Sequence, residues 1–238
     1  MKSNPEFGEA VHRLRLRQCT FEDVDLFNSQ LIRSANNPDC VDLGDGTNQS
    51  AAAIVATNVL QEVLNTKKAE ASCAPEALVR ANALDKCSHE TLDFEDRLQL
   101  LKMDFSSVKA SRSLPGVIPL YVGMPVIMRV RNISTDLGIT NGSQGVIHYI
   151  STAVCPVGLM YARCVIVEFP GSKVHLSDLP GSCFPVVPVS WTFTTLLKCR
   201  DGSERKLRVT RHQLPIQPAF AVTGHSAQGK TLPRVLVN

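Results

Sequence analysis

The apolar positions change their spacing partway along the chain. In residues 20–32 (TFEDVDLFNSQLI), Phe21, Val24, Phe27 and Leu31 recur at three- and four-residue intervals, which predicts an amphipathic helix. Thr20 stands where an N-cap belongs, and Asp23 occupies the matching capping-box position. Residues 36–50 (NNPDCVDLGDGTNQS) have the Asn, Gly, Pro and Asp content of a loop. The short apolar run at 51–58 (AAAIVATN) predicts a buried strand. The following NVLQEVLNTKKAEA predicts a helix with Asn58 as N-cap and Val59, Val63 and Leu64 facing inward. Residues 75–104 read as mostly helical.

Beyond residues 113–117 (SLPGV) the period shortens. LYVGMPVIMRVRNI, GSQGVIHYI, RCVIVEF, CFPVVPVSWTFTTLL and ERKLRVTRHQL are β-rich segments punctuated by Gly, Pro, Asn and Asp. Asn141-Gly142 is a strong turn signal. Five short strands over this stretch predict a small barrel, and residues 219–223 (AFAVT) read as one more strand.

Composition changes this picture little. The chain has 238 residues, 44% hydrophobic and 20% charged, as expected of an ordinary globular protein. The formal net charge of +3 neither demands nor excludes a nucleic-acid partner. Basic residues do cluster: Lys198, Arg200, Arg205, Lys206, Arg208 and Arg211 stand against Asp201 and Glu204. Such a segment is either a solvated hairpin or an edge that tracks phosphates. The eight cysteines form no Cys-x-x-Cys pair and the six histidines add no zinc-like arrangement, which fits reduced thiols in an intracellular protein. The opening residues are polar and no apolar run approaches membrane-spanning length, so no membrane partner is expected. Possible stacking platforms in the β-rich part are His148, Tyr149, Tyr161 and Trp191, although core packing is the usual fate of such side chains.

Two stretches carry candidate chemistry. Where the first strand gives way to a helix, at Thr57-Asn58, free N–H groups and the positive end of the helix dipole would face any phosphate, as they would in any βα unit. Residues 224–231 (GHSAQGKT) fit the Gly-x-x-x-x-Gly-Lys-Thr phosphate-loop pattern at every required position. A phosphate loop must run into a helix. Here Leu232-Pro233 and Arg234-Val-Leu-Val follow Lys230-Thr231, which favours a strand. A nucleotide hydrolase also needs a magnesium-holding acid from a later strand, and Glu168 precedes the loop. An independent phosphate loop is therefore not expected.

Four stretches together resemble superfamily 1B DNA helicases of the RecD kind, in the petite-integration-frequency branch. LYVGMPVIMRVRNIS…LGITNGSQGVI (120–147) is similar to that branch's Gly-x-x-Val-Met stretch followed by Asn-Gly-x-x-Gly. RHQLPIQPAFAVTGHSAQGKTL (211–232) resembles its Gln-Leu-Pro strand leading to motif V, AIVATNVLQEVLN (53–65) resembles motif IV, and LRQCTFEDVDLFNSQL (16–31) resembles the helical entry to the second motor domain. The resemblance implies an α/β fold: a partial RecA-like helicase domain interrupted by a small SH3-like β-barrel. Residues 1–50 would be a helical entry segment and loop, 51–115 the first part of the RecA-like second motor domain, 116–212 the inserted barrel, and 213–238 the return with motif V. It implies single-stranded DNA as partner, with contacts from Thr57, Asn58, His225 and Ser226. Gln228, Gly229 and Lys230 would line an ATP cleft completed, with Mg, by a first motor domain missing from this chain. It also implies a nuclear protein. Departures from the family pattern are Ser226, where Lys or Arg is frequent, and Ala227, where Ser is frequent. The expected function is a C-terminal motor-domain fragment of an ATP-dependent 5′-to-3′ helicase, inactive alone. The alternative is a non-catalytic module that binds single-stranded nucleic acid.

Overall fold

The computed structural model describes residues 5–30, 52–88, 90–103, 114–129, 132–199, 201–228 and 235–237. The chain divides into two compact units, 1–51 and 52–238. In the first, helix α1 (Pro5–Arg15) and helix α2 (Phe21–Ser29) form a hairpin. Thr20 accepts from the Asp23 N–H while the Asp23 carboxylate accepts from the Thr20 N–H, the reciprocal cap expected from the sequence. The helix does not bury its apolar stripe, however. Phe21 and Val24 are exposed, and the buried residue of α2 is Asp23. Its carboxylate takes a two-pronged contact from Arg13, Nε to Oδ2 at 2.8 Å and Nη2 to Oδ1 at 2.5 Å. The Arg13 guanidinium and the Thr20 N–H hold the Asp23 carboxyl down at about 2. Phe7 and Phe27 close the other side, edge to face with centroids 5.6 Å apart.

The second unit begins with strand β1 (Ala52–Val55) and helix α3 (Asn58–Ala71). Thr57, rather than Asn58, is the N-cap; its hydroxyl accepts from the Leu60 N–H at 3.3 Å. The inward face of α3 also differs from expectation. Val59 and Val63 are exposed and Leu64 is partly buried, while Gln61, Asn65 and Ala69 point inward at four-residue spacing. The reason lies far along the chain, in the strand that α3 covers.

Residues 75–104 are not mostly helical. A single 3₁₀ turn (Pro75–Ala77) leads to strands β2 (Val79–Asn82) and β3 (Leu84–Cys87), then to helix α4 (Phe94–Lys102). Both strands are recruited by distant partners: β2 pairs with β4 (Val117–Leu120), and β3 with β10 (Glu204–Gln213), both antiparallel. Tertiary pairing here overrides local helix preference.

The main antiparallel sheet has five strands in the order β11-β5-β6-β7-β8: Ile216–Pro218, Pro125–Met128, Gln144–Val154, Met160–Glu168 and Cys183–Val186. Its edges, β11 and β8, do not meet, so the described strands close no barrel. Strands β6 and β7 pair with two register shifts, at Ile147/Tyr149 and Ser151/Thr152. Two glycines of the Asn-Gly-x-x-Gly stretch have separate causes. Gly142 holds a φ of 91°, and a Cβ on Gly145 would lie 2.5 Å from the Glu168 carbonyl. The larger core fills this region with Leu120, Met124, Met128, Ile147, Val165, Val167 and Phe169.

Strands β9 (Val189–Lys198) and β10 form a hairpin that β3 extends to a three-stranded sheet. One of its faces makes a second core with Leu100 of α4, through Leu197, Leu207 and Val209. Buried beside it, Arg211 donates to both carboxylate oxygens of Asp85 at 2.8 Å and to the carbonyls of Leu114 and Leu100. Gln99 of α4 pairs with both backbone polar groups of Lys198 on the β9 edge.

From β10 the chain passes through β11 and then β12 (Ala221–Thr223), a turn of helix α5 (Gly224–Ala227) and β13 (Val235–Val237). Strands β12, β1 and β13 form a parallel sheet in that order. Between β11 of the antiparallel sheet and β12 of the parallel sheet lie just Ala219 and Phe220. Each is fastened: the Ala219 N–H to the Pro125 carbonyl at 2.9 Å, and the Phe220 carbonyl to the Ala53 N–H at 2.8 Å.

Candidate functional site

Parallel pairing sets Val55 of β1 beside Thr223 of β12. Both strands therefore end on the same edge, and the segments leaving them lie together. Such carboxyl-end edges are where open α/β sheets hold ligands. Four of the expected contact residues converge here. Thr57 and Asn58 open α3, and His225 and Ser226 lie in α5; all four are exposed. Gln228, also exposed, is the C-cap of α5. Gly229 and Lys230 lie outside the described residues, so the expected ATP-cleft set is represented here by Gln228.

The tip is built by short polar contacts. The Thr223 hydroxyl donates to the Ser226 hydroxyl at 3.0 Å, and Thr57 spends its own oxygen on the helix cap. The first turn of α3 leaves further N–H groups toward solvent, and they suit an anion. Gly224 borders open space, with nothing within 4 Å of an added Cβ.

The edge is held by residues that the sequence did not mark. β12 is an edge strand, and Ala221 turns its polar groups away from β1. Asn65 takes both: its Oδ1 accepts from the Ala221 N–H at 2.7 Å and its Nδ2 donates to the Ala221 carbonyl at 3.1 Å. Gln61 donates to the same carbonyl at 3.2 Å. A second amide, Gln213, is buried upstream and donates to the Ala81 carbonyl at 3.1 Å. The only signal in the sequence was a pair of amides one helical turn apart on a helix otherwise rich in charge.

The β-rich candidates disperse. His148 is half-exposed and its Nε2 lies 2.7 Å from Glu168 Oε2; Tyr149 is exposed; Trp191 stacks on Phe193 at 4.5 Å. The basic cluster also divides. Arg211 is fully buried on Asp85, and Arg205 reaches Glu90 and Asp96. Among the described residues, Lys198, Lys206 and Arg208 have no carboxylate partner.

The residues on this edge do not by themselves fit a magnesium nucleotide. None of the five described candidates is a carboxylate. Val235–Val237 is a strand, as the sequence indicated.

No family model matches the chain, and no curated protein matches it. Solved structures do. Pif1 helicase from Candida albicans superposes with a TM-score of 0.58 at 20% identity, covering 99% of this chain and 47% of that one. Bacteroides Pif1 bound to single-stranded DNA gives 0.56 at 18% identity, covering 98% and 42%. The Bacteroides enzyme with ADP-AlF3 and single-stranded DNA gives 0.57 at 16% identity, covering 98% and 42%. The fold is thus a mixed α/β arrangement of the kind found in Pif1 helicases. The chain spans less than half the length of these structures. Among the described residues, no helix is long and apolar enough to cross a membrane.

Proposed function

We propose that this chain acts as the second motor domain of a Pif1-like, ATP-dependent 5′-to-3′ DNA helicase, and that it grips single-stranded DNA with the edge formed by α3 and α5. One observation carries the reading. The two segments that resemble motifs IV and V come from opposite ends of the second unit, and they end on one sheet edge with their polar residues exposed. Structures sharing this fold include a Pif1 with single-stranded DNA and one with ADP-AlF3 and DNA.

In this reading Thr57 and Asn58 present the first turn of α3 to a DNA phosphate, and His225 and Ser226 contact the strand from the other side. Gln228, Gly229 and Lys230 contribute one wall of a nucleotide cleft. When bound, ATP would supply the free energy for closing two motor domains, its phosphates and Mg ion held by residues of a first motor domain. The domain bounds are those of the resemblance: 1–50, 51–115, 116–212 and 213–238. A nuclear site of action follows from the same reading.

A second reading is a non-catalytic module that binds single-stranded nucleic acid through the exposed polar residues of the same edge. Titration of the chain with labelled single-stranded oligonucleotide across a salt series tests both. Binding that weakens with salt and drops in Asn58→Ala/His225→Ala/Ser226→Ala is expected. Binding indifferent to salt and to this triple change would overturn the grip. ATP turnover by this chain that disappears in Lys230→Ala would overturn the assignment of the phosphate site to another domain.

A further inference from the structure

The three-stranded sheet β3-β10-β9 has two chemically opposite faces. On one, every described cation is answered: Arg211 lies on Asp85, and Arg205 on Glu90 and Asp96. That face packs on α4. The other face is turned to solvent. Exposure alternates along β9 and β10, and the outward set includes Thr192, Thr194 and Lys198 on β9 with Lys206 and Arg208 on β10.

Register assembles these side chains into one patch. Thr210 stands between Lys86 of β3 and Thr192 of β9, with the Thr192 and Thr210 hydroxyls 3.1 Å apart. Arg208 is opposite Thr194, and Lys206 opposite Leu196. Leu196 and the half-buried Leu84 are its apolar members. Glu204 faces Lys198 at the hairpin end, so the excess positive charge rests on Lys86, Lys206 and Arg208. Among the described residues, no carboxylate pairs with any of these three. From Lys206 to Thr210, beside Lys86, the patch runs roughly 13 Å along the strand. A duplex presents one phosphate per strand about every 3.4 Å of its axis, so three or so fall within that length.

We infer that this outward face of β3-β10-β9 is a docking surface for the phosphate backbone of duplex DNA, separate from the α3–α5 edge. Charge favours a polyanion, and serine and threonine hydroxyls are ordinary phosphate donors. Side-chain chemistry selects duplex over single strand. Surfaces that hold single strands add aromatic platforms for unpaired bases. Here the aromatics of the hairpin, Trp191 and Phe193, stack with each other at odd positions of β9, while the outward positions alternate with them. A duplex keeps its bases inside and offers only what this face can bind.

The inference does not depend on the single-strand reading, and the two fail separately. The full chain is titrated with a labelled blunt-ended 20-base-pair duplex, and separately with a single strand, over a salt series. Lys86→Gln/Lys206→Gln/Arg208→Gln is expected to lower the slope of log affinity on log salt by about 2 to 3 for the duplex, and to weaken binding roughly tenfold or more at low salt. Single-strand binding should change much less. Lys206→Gln alone should remove about one from the slope, and Lys86→Arg/Lys206→Arg/Arg208→Lys should bind like the parent. Unchanged duplex affinity and slope in both glutamine variants would overturn the proposal, as would an equal or larger loss for single strand than for duplex.

Discussion

Asn65 holds Ala221 by both backbone polar groups, donating to its carbonyl and accepting from its N–H, although 156 positions separate them. The side-chain amide completes the free edge of β12 as another strand would. Gln99 does the same for Lys198 on the edge of β9. In both cases a helix satisfies one residue of an exposed sheet edge with a single amide.

Replacing Asn65 with Leu orphans the Ala221 N–H. The cost should be about 1–3 kcal/mol in urea denaturation. Gln61→Leu should cost clearly less, because the Ala221 carbonyl keeps Asn65. Equal losses would mean that the N–H finds another partner.

Arg211 and Asp85 should behave as a unit. Removing either alone leaves a buried charge uncompensated, at about 3–5 kcal/mol. Asp85→Leu/Arg211→Met should cost well below the sum of the single changes, measured as a double-mutant cycle in denaturant.

The α1–α2 hairpin should be acid-labile. Asp23 is held at about 2 by Arg13, against roughly 3.9 when unfolded. The unfolded state therefore binds the proton more readily, and stability rises with pH through this interval. The contribution is complete above about pH 4 and is lost as pH falls through 2. Carboxyl chemical shifts of Asp23 should titrate near 2, and Arg13→Ala should move that midpoint upward.

Gly224 offers a test that separates fold from ligand. Its added methyl meets open space, so Gly224→Ala should leave stability within about 1 kcal/mol. If a DNA backbone approaches this turn closely, the same change weakens single-strand binding while the melting curve stays put.

Local rules were readable where neighbours in sequence decide the outcome. Thr20 and Asp23 cap each other across three positions, and Val235–Val237 is β-branched enough to be a strand wherever it lies. On the α3–α5 edge, the first strand with its following helix and the strand before Gly224 were legible; the helical turn Gly224–Ala227 carries no apolar period and was not. The inward face of α3 was not. Val59 and Val63 have the hydrophobicity of core residues, but the surface that α3 meets is the polar edge of β12, which rewards amides. Nor were β2 and β3, four residues each, whose partners Pro119 and Arg211 arrive much later in the chain. Arg211 looked like a member of a basic surface because its counter-charge, Asp85, is 126 positions away.

The junction at Ala219-Phe220 has a mechanical consequence. With one residue tied to Pro125 and the next to Ala53, there is no slack between the antiparallel sheet and the strand that carries the tip. Should the antiparallel sheet turn against the parallel one, the two residues between β11 and β12 offer little length to take up the motion before it reaches β12.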